Sequence, residues 1–348
     1  MNRTVMAVLT GAFAWVFAVA PVPAAAQEVT LRMHTFMAPI ANPVKTFLIP
    51  WAEKVGKDSK GRIKVDLYPA MQLGGKPPQL LDQVRDGVVD IVWVVAGFAP
   101  GRMPKVEIFE LPFLHRNAVS TTLALQDFQD KWLQDELKDY HVLLMHAHGG
   151  FLFMTKKPIN KLSDIKGMKL RAASRTGVWT LEALGAAAIG VDLNELPTML
   201  NKGTVVGSML PYEIAPSIKM QEMVEYFTVL SPPQPRVSSV VFAFLMNKNS
   251  YAKLPPDLKK VIDANSGRNI AKATGENWED IEVKGEAVMH TRSKNKFETI
   301  NPEESAKIRA AMKPVYDRFL GEMKGLGVDG ERMLADARAM IEKYSTKR

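Results

Sequence analysis

Apolar and polar residues alternate with period two through Val29-Thr30-Leu31-Arg32-Met33-His34-Thr35, which predicts a first strand. A helix is expected from Val44 to Gly56, because Phe47, Leu48, Trp51, Ala52 and Val55 fall on one face. Ile63 to Tyr68 reads as a second strand and Val88 to Val95 as a buried one. Between them, Pro78 to Asp86 reads as a short helix whose prolines suit a first turn. This βαβαβ order implies a sheet with crossover helices. A helix over 117–138 and a strand from His141 to Met145 extend it. Past Gly149-Gly150 the pattern resumes, with strands over 151–155, 168–173 and 204–209 and helices over 176–188, 194–202 and 213–223.

Pro232-Pro233-Gln234-Pro235 marks a linker. The apolar run from Val237 to Met246 then reads as a strand of a sheet covered on both faces. Pro256 to Arg292 predicts one long helix, with Gly267, Gly275 and Gly285 as its expected bend points. Helices over 303–323 and 329–345 follow.

Arg3, an apolar stretch from Val5 to Ala20 and the small residues Ala24-Ala25-Ala26 have the make-up of a secretory signal peptide cleaved after Ala26. The apolar stretch is short for a membrane span, and no later one is long enough, so the mature chain is not expected to span a bilayer. The absence of cysteine removes lipid attachment at a Cys, disulfides, thiol nucleophiles and thiolate metal sites. The chain has 348 residues, 47% hydrophobic and 24% charged, an ordinary balance for a globular protein of about two domains. Its net charge of +8 would suit an anionic partner. Basic residues are nevertheless interspersed with acids, as around Glu276, Glu279, Asp280, Glu282 and Lys284, and no basic stripe carries interleaved aromatics. A nucleic-acid partner is therefore not expected.

Catalytic patterns are weak. Ser163-Asp164-Ile165-Lys166 matches Ser-x-x-Lys, but its companion motifs are absent and the segment reads as a turn. His146-Ala147-His148 lacks an obvious third ligand, and Gly149-Gly150 ends its element, so a polar strand terminus is the better reading than a metal site. Gly74-Gly75-Lys76 lacks the spacing of a phosphate loop, and there is no dinucleotide fingerprint. No metal, cofactor or catalytic residue is expected. A secreted hydrolase acting on a small carboxylate or amide is the alternative to a binding protein.

One residue does point to chemistry. Arg171 lies in the short strand Met168-Lys169-Leu170-Arg171, and a guanidinium facing a cleft there offers a planar fork for a carboxylate. The run from Lys157 to Arg171 resembles the central signature of the DctP-type solute receptors of TRAP transporters. Ser59 to Val65, Leu67 to Gly75, Asp86 to Ile91, Glu110 to Phe113, Leu184 to Ala186 and Gly203 to Gly207 resemble further blocks of that family, in order. The resemblance implies an α/β, two-lobed periplasmic binding protein fold (type II-like), with mixed sheets, flanking helices and a long hinge-spanning helix. Its expected divisions are a signal peptide over 1–26, lobe I over 27–149 and lobe II over 150–236. A closing segment over 237–348 would hold a crossover strand, the bracing helix and C-terminal helices, partly completing lobe I. It further implies a non-catalytic periplasmic receptor that passes a small organic acid to TRAP membrane subunits.

By the same resemblance Arg171 holds the substrate carboxylate. Phe151 stands where many such receptors carry a second arginine, and Leu210, just before Pro211, where they carry an asparagine. Trp93, Val95 and Phe98 likewise replace polar groups. A second carboxylate would meet apolar groups there, at a cost of several kcal/mol, roughly. The expected ligand is therefore a monocarboxylate with an apolar or aromatic body, a branched or short 2-oxo acid or a short 2-hydroxy acid being the alternative. His34, Tyr212, Glu213 and Arg175 are further candidate ligand contacts.

Overall fold

The structure is a computed structural model that describes residues 27–345; the leader expected over 1–26 lies outside the described residues. Its strands, in chain order, are β1 (Val29–Thr35), β2 (Ile63–Tyr68), β3 (Ile91–Val95), β4 (Tyr140–Ala147), β5 (Leu152–Thr155), β6 (Lys169–Ala172), β7 (Ala187–Gly190), β8 (Gly207–Leu210), β9 (Tyr226–Leu230), β10 (Val241–Asn247) and β11 (Lys296–Ile300). They form two sheets, ordered β2-β1-β3-β10-β4 and β11-β9-β5-β8-β6-β7, each with its own helices. β3 and β10 are buried along their whole length, as strands with covered faces should be.

Each sheet contains one strand antiparallel to both of its neighbours. In the first it is β10, between β3 and β4; in the second it is β5, between β8 and β9. These are the strands entered directly from the other lobe, β5 from β4 through His148 to Phe151, and β10 from β9 through residues 231–240. The two crossing segments hold each other: Phe151 N–H donates to Ser238 O (2.7 Å), and Val237 N–H donates to Phe151 O (2.9 Å). Gly150 makes the turn possible. Its φ is +90°, and a Cβ there would lie 3.0 Å from both Arg236 and His115.

The long helix differs from expectation. It is divided into Pro256–Ala264 and Arg268–Met289 by a break at Gly267, whose φ is +54°. Gly275 and Gly285 do not bend the second piece; they are contact points. A Cβ at Gly275 would lie 2.5 Å from the Val119 Cα in the helix Ala118–Trp132, and one at Gly285 would lie 2.1 Å from the Tyr212 carbonyl oxygen. The helix Arg268–Met289 therefore touches both lobes through its glycines.

Elsewhere the helix expected over 176–188 runs from Arg175 to Ala183 and stops at Leu184-Gly185, where Gly185 has φ +82°. The residues after it form the edge strand β7, which pairs in parallel with β6. The helix expected over 303–323 is two, Pro302–Ala310 and Lys313–Gly325, the second opening with Pro314 in its first turn.

Candidate functional site

Between the lobes, at the ends of the strands, the two sheets enclose a pocket. Phe36 and Met37 follow β1, Val95 closes β3, and Phe242 is the second residue of β10; Arg171, Leu210 and Phe151 face them from β6, β8 and the entry to β5. Phe98, His148, Glu213 and Val240 are also in the wall. The space among these side chains, including its opening, is about 370 Å³, of which the centre of a water molecule can reach only about 40 Å³. The lobes are nearly shut on it.

Arg171 is 2% exposed. Strand pairing with Ser208 of β8 fixes its backbone, and the Ser208 hydroxyl donates to its carbonyl oxygen (3.1 Å). Its Nε donates to the Val191 carbonyl oxygen (2.9 Å), which orients the guanidinium. Among the described residues no carboxylate forms an ion pair with it. Burial lowers its pKa to about 10, with nearby Asp192 opposing, so it remains a cation at neutral pH. A buried cation with no carboxylate in direct contact is costly, and an anionic ligand would relieve that cost.

The remaining wall is mostly apolar and aromatic. Phe36 meets Phe98 edge to face (centroids 5.1 Å apart). Trp93 stands one layer behind. It is fully buried, stacks on Phe242 (4.3 Å) and Phe36 (5.9 Å), and donates from Nε1 to His146 Nε2 (2.8 Å). It shares a face of β3 with Val95 but lies two residues, about 7 Å, further from the rim. Thus the expected ligand contact at Trp93 becomes a support for the two rings that do face the pocket.

Two polar side chains accompany Arg171. His148 is 1% exposed, and burial, with the nearby His115, His146 and Arg236, holds its pKa well below the ordinary value. Gly150 N–H donates to its Nδ1 (3.0 Å) and Val240 N–H lies 3.3 Å from its Nε2. Glu213 is 2% exposed, and its Oε1 lies 3.9 Å from His148 Nδ1. Burial, and then the neighbouring Glu282, whose side chain hydrogen-bonds to it, push its pKa well above the usual carboxylate range. Its backbone is tied on both sides: its N–H donates to Glu282 Oε2 (2.9 Å), and its carbonyl oxygen accepts from Asn42 Nδ2 (2.9 Å) of the first lobe.

Arg171, Phe151, Leu210, Glu213 and Phe98 are thus brought together, and three other candidates are not. His34 faces away, with Nδ1 2.7 Å from Gln83 Oε1 and Nε2 accepting from Leu73 N–H. Tyr212 lies against Phe227 and under the guanidinium of Arg236. Arg175 pairs with Glu107 (2.6 Å) and Glu322 (2.8 Å). These two contacts hold its guanidinium to Glu107 and Glu322 rather than at the pocket. The sequence reading missed Phe36, Met37 and Phe242. The one signal that could have found them is their place at strand ends on the side where chains cross between lobes.

Among the described residues no group of three or more His, Asp or Glu side chains is placed to hold a metal, and no helix is long and apolar enough to cross a membrane. Residues 36–322 match the model of the family DctP, bacterial extracellular solute-binding protein, family 7. The fold is similar to that of a TRAP solute-binding protein from an unidentified marine microbe, specific for aromatic acid ligands and solved with 3-hydroxybenzoate (TM-score 0.89, 40% identity, covering 92% of this chain and 100% of that one). It is equally similar to a TRAP solute-binding protein of Rhodoferax ferrireducens solved with copurified benzoate (TM-score 0.88, 39% identity, 91% and 98% covered). The C4-dicarboxylate-binding periplasmic protein DctP of Rhodobacter capsulatus is 25% identical, with 92% and 94% covered. By the family match across most of its length and by these relatives, the chain belongs to the DctP family of bacterial extracellular solute-binding proteins.

Proposed function

We propose that this protein is a periplasmic receptor for an aromatic monocarboxylate, which it delivers to the membrane subunits of a TRAP transporter. The observation that carries the ligand class is Arg171, a buried cation without an ion pair in an otherwise largely apolar pocket. Its guanidinium fork would take the carboxylate, and Phe36, Phe98, Phe151 and Phe242 would enclose the ring. A space of about 370 Å³ is at the small end for ligand pockets and suits one ring better than a sugar acid. A C4-dicarboxylate would leave its second charge among phenylalanines and beside the Glu213 carboxyl group. The relatives solved with benzoate and 3-hydroxybenzoate support this reading. The hydrolase alternative is set aside, because the family consists of solute-binding receptors.

Calorimetric titration of the mature chain with benzoates and with malate, succinate and fumarate tests the proposal. Benzoates should bind and remain chemically intact, and Arg171→Ala should weaken them by about 2–5 kcal/mol, with Arg171→Lys between, because an ammonium keeps the charge but not the fork. Tight binding of a dicarboxylate with none of a benzoate would overturn it.

A further inference from the structure

Glu110 opens the block Glu110-Leu111-Pro112-Phe113 and takes no part in the pocket wall, yet it is only 1% exposed. Both of its carboxyl oxygens are engaged. Oε2 accepts from Thr176 Oγ1 (2.6 Å), which lies 2.8 Å from Ser174 Oγ. Oε1 accepts from Val241 N–H at a long 3.4 Å. Gly97 makes room for this junction: a Cβ there would lie 3.0 Å from Glu110 Oε1 and 3.1 Å from the Ser174 Cβ. Each partner is a chain neighbour of pocket residues. Ser174 follows Ala173, Gly97 precedes Phe98, and Val241 stands between Val240 and Phe242. Glu110 therefore touches, from behind, the backbone that presents the wall from both lobes.

The contact with Thr176 is the one that spans the lobes, and it differs from its neighbour. Arg175 also reaches the first lobe, through Glu107, but its side chain keeps 22% of its surface in solvent. Thr176 and Glu110 are each 1% exposed. A hydrogen bond shut away from water is the costlier one to break, because each partner is left unpaired. Resting on the reading of the pocket as a site for aromatic monocarboxylates, we propose that Glu110 is a positioning residue for ligand retention. It does not touch the ligand; its bond to Thr176 latches the helix Arg175–Ala183 of the second lobe onto the first and so sets how long a bound acid stays. A ligand enters while the lobes are parted and the latch is unmade, so association does not sense it. Release requires the latch to break. A hydroxyl and a carboxyl group can hydrogen-bond whether or not the carboxyl carries a proton, so the latch does not depend on the ionisation of Glu110.

Rapid-mixing kinetics of the mature chain with benzoate, giving the association and dissociation rates separately, tests this role. Thr176→Val keeps the shape and removes the hydroxyl; it should raise the dissociation rate about tenfold and leave association within about twofold. Thr176→Ser, which keeps the hydroxyl, should dissociate at close to the wild-type rate. Glu110→Gln retains a weaker acceptor and should fall between. In the variant carrying both Glu110→Gln and Thr176→Val the two effects should not add, because both act on one bond. An unchanged dissociation rate in Thr176→Val, a loss taken equally from association, equal rates for the Val and Ser variants, or additive effects in the double variant overturns the inference and leaves the aromatic receptor standing. Failure of the wild type to bind benzoate overturns that earlier reading, and the latch with it. If Glu110→Gln does not fold, the Val and Ser variants at 176 still decide.

Discussion

Arg171 puts a charge where water is nearly excluded, and the ligand-free protein bears that cost. Replacing it with methionine removes the desolvation of a guanidinium and fills the same space with an apolar side chain. Arg171→Met should therefore raise the unfolding free energy of the ligand-free protein by about 1–3 kcal/mol in urea, while abolishing the stabilisation that a benzoate gives the wild type. A variant less stable than wild type would show that the guanidinium stabilises the empty fold as well. At this scale the sequence was legible only where a residue type was out of place. A guanidinium in a short strand stands out; Phe36 and Phe242 do not, because an apolar side chain reads the same whether it lines a pocket or fills a core. The all-apolar β3 has the same weakness: without alternation, nothing told Trp93, a layer back, from Val95 at the rim.

Among the elements, glycines carry the clearest consequences. Gly285 and Gly321 both lie inside helices, yet they call for opposite outcomes. A Cβ at Gly285 would meet the Tyr212 backbone at 2.1 Å, whereas one at Gly321 would meet nothing within 4 Å. Gly285→Ala should destabilise by about 1–3 kcal/mol through forced backbone shifts, and Gly321→Ala should stabilise by about 0.5–1 kcal/mol through reduced chain entropy in the unfolded state. Chemical denaturation of the two variants checks both signs. The element types of the first lobe were legible from periodicity, and the antiparallel insertion of β10 was not, since an apolar run does not state its direction. β9 and β11 escaped as well. Lys296-Phe297-Glu298-Thr299-Ile300 is an edge strand, too polar and short to stand out.

For the molecule as a whole, closure is recorded in contacts between lobes. Arg175 and Thr176, opening a helix of the second lobe, bind Glu107 and Glu110 of the segment Val106–Glu110 in the first, with Thr176 Oγ1 donating to Glu110 Oε2 (2.6 Å). Burial raises Glu107 to about 8, against the pull of Arg175, with Glu110 and Glu322 adding to the rise. An unfolded glutamate releases its proton near 4.5, so between there and about 8 the folded chain holds a proton that the unfolded chain has lost. That contribution to stability therefore falls as pH rises through the window. Buried His115 and His146, held neutral down to about 3, push the opposite way below 6.5. The quantity to read is the difference between wild type and Glu107→Gln: melting temperatures at pH 5, 6, 7 and 8 should show the wild type losing ground to the variant. A constant difference would mean that Glu107 ionises at its ordinary pH in the folded protein.

The aromatic layer behind the pocket gives the protein an optical response of its own. Trp93 lies flat against Phe242 and Phe36, whose other faces meet the ligand space, and its indole N–H is tied to His146. Any shift of those two phenylalanines on binding changes the packing and polarity around the buried Trp93 indole, beside which Trp278 also lies (centroids 6.1 Å). Tryptophan emission should thus move in wavelength or intensity as a benzoate is added, saturating with the calorimetric isotherm, and Trp93→Phe should suppress most of that change. The receptor would then report its own occupancy as light, without a label.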